Sequence, residues 1–260
     1  MEDILQVYLV LFFCGTNASV RHIYISPHLD DAVLSVGGLI HAQQRENKVV
    51  EIWTIMAGTP TTPELSPFAQ DLHSSWGTKS AEESLLIRRT EDHHAAKILG
   101  VQTIHYEFLD AIYRRDNNDQ WLYEDIFIPP HVQDSRLATE ITEAISTNTS
   151  SDDILYCPLA IGLHVDHVIV RQVVEALVKR PIYYADLPYL FKNAGQAATQ
   201  AHGMIPNVQP LSKTDVDHWL EAIRAYKSQL STLFDNIEAL FNVIRVYWEE
   251  WGGVPVWKLE

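Results

Sequence analysis

The sequence is short of the features that would tie it to an oxidising compartment, a membrane or a nucleic acid. Its 260 residues include two cysteines, Cys14 and Cys157. That is too few for a disulfide framework, and with no Cys-x-x-Cys spacing both read as small apolar residues of a reduced protein, with pairing between them as the alternative. Positive charge is scarce: 19 Lys plus Arg stand against 34 Asp plus Glu, a net charge of −15. Such a chain lacks the clustered positive charge that gives affinity for nucleic acid or an anionic membrane. Long hydrophobic runs are missing as well. The one candidate, Leu5 to Phe13, is too short to span a bilayer and follows Glu2 and Asp3 instead of the basic residues of a secretion signal. Residues 1–20 therefore read as an N-terminal extension of uncertain role, with a signal peptide as the alternative. A cytoplasmic location without stable membrane insertion is the expectation. Two glycosylation sequons, at Asn17 and Asn148, are patterns common by chance.

What is present is an alternation of strand and helix patterns. Arg21–Ile25, Lys48–Met56, Gln102–Phe108, Asp153–Cys157 and Ile182–Tyr184 are short β-branched and aromatic runs. Between them, Asp31–Glu46, Ser80–Gly100, Asp134–Thr147 and Asp166–Lys179 carry helical periodicity. The nearly apolar second run suits a parallel strand covered on both faces. Ala57–Gly77 has no sustained period, and its Phe68 and Trp76 suggest a docked lid or a substrate wall. Asn193–Pro210 reads as a polar loop, and Lys213–Gln229 and Phe234–Trp248 as terminal helices. No repeat or linker divides the chain. The expectation is one α/β domain over residues 1–260, Rossmann-like, with a mainly parallel sheet, helices on both faces, and residues 211–260 as C-terminal helices. A homo-oligomer is left open.

Two clusters of chemistry-bearing residues stand at strand ends. Ser26-Pro27-His28-Leu29-Asp30-Asp31 follows the first strand, and His164-Val165-Asp166-His167 follows the fourth. In a parallel sheet successive strand ends share one edge, where ligands bind. One His and one Asp from the first segment with one His from the second make a three-ligand set with a fourth position open, the arrangement of a catalytic zinc. A mixed imidazole and carboxylate set favours zinc over calcium or magnesium. Either string alone is a weak signal, and a His or Asp at a helix start often only caps it.

Together with the Gly37-Gly38 pair, these two motifs resemble the LmbE-like (PIG-L) family of zinc-dependent N-deacetylases. Arg88-x-x-Glu91, Leu99-Gly100, Asp110 and Tyr184-Ala185-Asp186-Leu187-Pro188-Tyr189 support the likeness, which runs from about residue 21 to 190. The chain departs from the usual His-Pro-Asp-Asp-Glu string at Leu29 and Ala32, and has Val165 where proline is commoner. The resemblance implies His28, Asp31 and His167 as Zn2+ ligands and Asp30 as the general base that deprotonates the attacking water. It further implies His164 facing the substrate carbonyl, stabilising the oxyanion or protonating the departing amine, with Asp166 orienting that imidazole. Arg88 and Asp110 would bind the sugar, although Arg88 could equally pair with Glu83 or Glu91 on the same helix. The implied activity is removal of the N-acetyl group from an N-acetylglucosamine-type conjugate, a small-molecule substrate. A metal-dependent hydrolase of another amide, ester or phosphoester, and a non-catalytic α/β binding module, are the alternatives. His93-His94 and Trp248, Trp251 and Trp257 read as packing or surface residues, whereas Trp76 could serve as a sugar platform.

Overall fold

Five strands lie in parallel in the order β3 (Gln102–His105), β2 (Val49–Thr54), β1 (Arg21–Ser26), β4 (Ile154–Pro158) and β5 (Ile182–Tyr184), and two antiparallel strands, β7 (Gly253–Leu259) then β6 (Met204–Pro210), extend the sheet beyond β5. This is a computed structural model that describes residues 20–233 and 236–260. The Leu5–Phe13 run, Cys14, the Asn17 sequon and Phe234 lie outside the described residues. In chain order the first half comprises β1 (Arg21–Ser26), α1 (Asp31–Arg45), β2 (Val49–Thr54), α2 (Pro67–Trp76), α3 (Ala81–Leu99), β3 (Gln102–His105), a one-turn 3-10 helix (Ala111–Tyr113) and α4 (Asp134–Asn148). The second half comprises β4 (Ile154–Pro158), α5 (Val165–Leu177), β5 (Ile182–Tyr184), α6 (Tyr189–Lys192), α7 (Ala194–Gln200), β6 (Met204–Pro210), α8 (Lys213–Ile223), α9 (Lys227–Leu233), α10 (Ile237–Trp251) and β7 (Gly253–Leu259).

Because strand side chains alternate between faces, the sheet separates two apolar cores. Tyr24, Ile52, Tyr156 and Tyr184 point into one, shared with α1, α3, α8 and α10. Ile23, Ile25, Trp53, Leu155, Cys157 and Tyr183 point into the other, shared with α4 and α5. Within the first core the Tyr24 and Tyr156 rings stack 4.2 Å apart, and both hydroxyls bond the Gln43 amide at 2.9 and 2.8 Å.

Gly37 and Gly38 let α8 close on α1. A Cβ at Gly37 would stand 2.5 Å from Trp219 Cδ1, and one at Gly38 2.8 Å from a Leu211 methyl. At Val36 the α1 backbone leaves helical geometry, and the Trp219 indole N–H donates to the Val33 carbonyl at 2.7 Å. Asp215 of α8 ties the same pair of helices, accepting from Arg45 Nε and Nη2 at 3.1 Å each and meeting His41 Nδ1 at 2.8 Å.

The structure corrects the sequence reading at four places. The loop expected over 57–77 contains α2, started by the Ser66 side chain with Pro67 in the first turn and stopped by Gly77 at φ 70°. The loop expected over 193–210 contains α7 and β6. The helix expected over 213–229 breaks at Arg224 into α8 and α9. The chain ends in β7, not in the Trp248 helix. Among the described residues no helix is long and apolar enough to cross a membrane.

Candidate active site

Strand order reverses between β1 and β4, since the chain builds outward from β1 through β2 to β3 and then returns to β4 on its other side. A crevice opens at such a switch point, outside the carboxyl ends of the strands. Both His/Asp motifs open into it. Past β1 the Ser26 hydroxyl donates to the His28 carbonyl at 2.7 Å and accepts from the Ala32 N–H at 3.0 Å, which turns the chain sharply into α1. Past β4, Ala160 and Leu163 hold positive φ of 57° and 60° around Gly162. His164 then caps α5, its Nδ1 accepting from the Asp166 N–H at 3.2 Å. His164, not Asp166, therefore holds the N-cap position of α5.

All eight side chains singled out from the sequence gather here, and all are buried. His28, Asp30, Asp31, Arg88, Asp110 and His164 line one cleft. Asp166 and His167 stand behind them, fully buried. Asp31 Oδ2 lies 3.1 Å from His28 Nδ1 and 3.2 Å from His167 Nε2. Ring nitrogens of His28, His164 and His167 lie within 4.8 Å of one another. Bonds of about 2.0–2.2 Å in a tetrahedral zinc site put neighbouring ligand atoms roughly 3.3 Å apart, and Asp31 Oδ2 stands at that spacing from each of the two imidazole nitrogens. His167 Nε2 is also buried without a hydrogen-bond partner, while its Nδ1 is fixed by Asp186 Oδ1 at 2.6 Å. An imidazole held on one nitrogen, with the other bare and aimed at a carboxylate, is a ligand geometry.

A second cluster forms at the far nitrogen of His28. Its Nε2 is 3.0 Å from Asp166 Oδ2 and 3.7 Å from Asp110 Oδ2. Asp166 Oδ2 also accepts the Ala111 N–H at 3.0 Å, and Arg114 Nη2 lies 2.6 Å from Asp166 Oδ1. His28, Asp110 and Asp166 thus form a second group of possible ligand atoms within 4.8 Å of one another.

The charges of the site follow from this packing. Burial opposes ionisation of Asp31, but His167 and His28 hold its carboxyl well below the usual range. Burial would lower His28 and His167, yet Asp110, Asp166 and Asp31 raise the first well above its ordinary value, and Asp31 and Asp186 raise the second to about 9. In this set each proton stands where a cation would replace it. Burial, then repulsion from Asp31, pushes Asp30 up to about 7 against the pull of Arg88. Burial, with His28 and His167 beside it, holds His164 well below its ordinary value and hence neutral.

Two sequence expectations change. The Asp166 carboxylate does not orient His164; it faces His28. Arg88 forms no surface pair with Glu83 or Glu91. It is buried with Nη2 3.9 Å from Asp30 Oδ2 and its guanidinium 5.3 Å from the centre of the Trp76 ring, and its Nε has no partner. Glu91 instead accepts from Ser228 N and Oγ at 2.9 and 2.6 Å. Trp76 does line the cleft, together with Leu187, Pro188 and Tyr189. His93 and His94 are exposed and away from it. Sequence reasoning gave no role to Asp186 or Arg114, although Asp186 follows β5 at the same sheet edge and that position was the available signal.

Comparison with known proteins identifies the family. Residues 23–178 match the model of the family described as PIG-L, GlcNAc-PI de-N-acetylase. The chain is 25% identical over 195 residues to the 2'-N-acetylparomamine deacetylase of Streptomyces fradiae and 28% identical over 187 residues to that of Niallia circulans. These alignments take in 72% and 64% of this chain, which spans only 65% and 66% of those relatives' lengths. The zinc-inhibited form of a teicoplanin deacetylase superposes with a TM-score of 0.81 at 28% identity, covering 92% of this chain and 97% of that one.

Proposed function

Because the chain belongs to the PIG-L family of GlcNAc-PI de-N-acetylases, we propose that it is a zinc-dependent hydrolase that removes the N-acetyl group from an amino-sugar conjugate. The observation that carries this reading is the bare, buried His167 Nε2 converging with His28 Nδ1 on Asp31 Oδ2. His28, Asp31 and His167 would hold the metal. When bound, zinc supplies Lewis acidity, polarising the amide carbonyl and lowering the pKa of water to about 7. Asp30 stands next to this set with Arg88, at 3.9 Å, as its ion partner. A carboxylate beside the ligands but outside them is placed to take the proton of the attacking water and return it to the departing amine.

His164 acts as a neutral donor. Its Nδ1 accepts the Asp166 N–H, so its proton sits on Nε2, available to the oxyanion that forms as the amide carbon becomes tetrahedral. Arg88 and Asp110 remain for sugar hydroxyls, with Trp76 as an apolar wall. The relatives named for N-acetylparomamine and teicoplanin support an amino sugar carried on a larger molecule as the substrate class.

The test is acetate release from a panel of N-acetylglucosaminides, with phosphoesters in parallel. Chelation should abolish release and added zinc restore it. Asp30→Asn should keep stoichiometric metal while losing about 10²–10⁴ in kcat, the usual weight of general acid–base catalysis. A fully active Asp30→Asn protein would remove the base from this scheme, and turnover by chelated protein would remove the metal.

A further inference from the structure

The two imidazoles of the ligand set are each backed by a carboxylate, but the carboxylates are anchored differently. Asp186, behind His167, is held by one backbone group, the Ile161 N–H at 2.9 Å from Oδ2. Asp166, behind His28, is held on both oxygens. Ala111 N–H donates to Oδ2 at 3.0 Å, and Arg114 Nη2 lies 2.6 Å from Oδ1 as a close charge contact without an aligned hydrogen bond. Arg114 belongs to neither His/Asp motif. It follows the 3-10 helix, is buried, and reaches back to the Leu109 carbonyl at 3.3 Å. The same Nη2 lies 3.3 Å from Asp134 Oδ2 at the start of α4. Tyr123 packs under the guanidinium, 5.1 Å from its ring centre, and its hydroxyl donates to Asp134.

This arrangement has a consequence at His28. Asp166 and Asp110 both approach its Nε2, at 3.0 and 3.7 Å. Asp30 and Asp31 are buried close by. A buried carboxylate with no countercharge is costly, and of the two carboxylates behind the His28 ring Asp166 is the closer. With Asp166 fixed at both oxygens, its Oδ2 meets the His28 ring along one direction. His28 then keeps a proton on Nε2 and turns Nδ1 toward Asp31. If Asp166 were released, Nε2 could turn to Asp110, and the ring would no longer present Nδ1 at a fixed angle.

We propose that Arg114 is a positioning residue of the metal centre, which fixes His28 through Asp166 in the orientation that offers Nδ1 to the ion. This rests on the reading of His28 as a ligand. Arg114 does not line the cleft, so its effect is read in metal affinity and not only in turnover.

The experiment measures zinc affinity by competition with a chromophoric chelator for the wild-type chain and for Arg114→Met, Arg114→Lys, Asp166→Asn, Asp134→Asn and Arg114→Met/Asp166→Asn, each checked for folding by circular dichroism. The visible spectrum of the cobalt-loaded proteins serves as a second readout, of ligand geometry. Loss of an orienting partner behind a ligand costs about 10–100-fold in metal affinity, the fall expected for Arg114→Met and Asp166→Asn, together with an altered cobalt spectrum. The double variant should be no weaker than the worse single, because both act on one chain of contacts. Arg114→Lys should recover part of the loss. Asp134→Asn removes the other partner of Arg114 and should stay within about threefold of wild type, as expected of a contact that does not reach His28.

Unchanged affinity in Arg114→Met overturns the proposal, as does a loss in Asp134→Asn equal to that in Arg114→Met, since Arg114 would then serve only to brace α4. Should Arg114→Met fail to fold, the cycle of Arg114→Lys with Asp166→Asn decides, and additive losses overturn the proposal. A wild-type chain that binds neither zinc nor cobalt overturns the metal reading itself, a result distinct from all of these.

Discussion

The tie between α1 and α8 can be weighed by titrating a single carboxylate far from the cleft. Asp215 is fully buried between Arg45, His41 and the Ser212 N–H and hydroxyl. Burial alone would raise its pKa, but Arg45 and Ser212 lower it to about 2 from 3.8. A folded-state value below the unfolded one means that the native chain holds the charged form more favourably. The contribution is then complete above about pH 4 and lost as pH falls through 2. A gap of nearly two units corresponds to roughly 2.5 kcal/mol; with the Arg45 side chain half-exposed and partly screened, about 1–2 kcal/mol is the better expectation. Asp215→Asn keeps the size and one acceptor oxygen and removes the charge. In urea titrations of chelated protein at pH 7 the midpoint should fall by about half a molar, taking a slope of 2–3 kcal/mol/M. At pH 3 the difference between the two proteins should shrink to about half. A variant equally destabilised at both pH values, or not destabilised at pH 7, would show that the ionised Asp215 does not tie these helices.

Two further outcomes follow from other contacts. Gly37→Ala puts a methyl 2.5 Å from the Trp219 ring and should cost about 1–3 kcal/mol by overpacking, seen as a lower urea midpoint, even though alanine normally favours helix; a stabilised variant would mean that the indole yields freely. Trp76→Ala, which strips the cleft of its largest aromatic wall, should raise KM for N-acetylglucosaminides about 3–10-fold with kcat little changed, in line with the weight of one aromatic contact. A fall in kcat alone would place Trp76 in positioning Arg88 instead.

The parallel half of the sheet was legible because its strands are short, apolar and separated by helices with clear boundaries, such as Ser80 before α3 and Gly100 after it at φ 73°. The antiparallel end was not. β6 contains Pro206 and Pro210, and β7 contains Pro255, residues that argue against a strand in the middle of a sheet. Here β6 is the edge strand, and β7 meets β5 only at Val256 and Trp257, leaving Pro255 outside that pairing; prolines are tolerated where a strand has such an open side. The break between α8 and α9 at Arg224-Ala225-Tyr226 carries no glycine or proline, so tertiary packing decides it: Tyr226 is fully buried and its hydroxyl donates to Asp92 at 2.6 Å.

At the candidate site, the residues singled out from the sequence come together, but one expected partnership does not form. His164 and Asp166 are neighbours at a helix start, which invites pairing them. Successive helical residues turn by 100°, however, so side chains two apart point to nearly opposite sides of the axis. What His164 receives from its neighbour is the backbone N–H of Asp166. The Asp166 carboxylate turns instead toward β1 and meets His28, 138 positions away. The same first turn thus sends its residues in three directions: His164 to the cleft, Asp166 to the back of one proposed ligand, and His167 forward as another. Such a division is invisible in the string His-x-Asp-His, because it depends on which strand lies beside β4. Arg114 and Asp186 went unassigned for the same physical reason. Each acts on a motif from outside it, through a contact that exists only once β1, β4 and β5 share an edge.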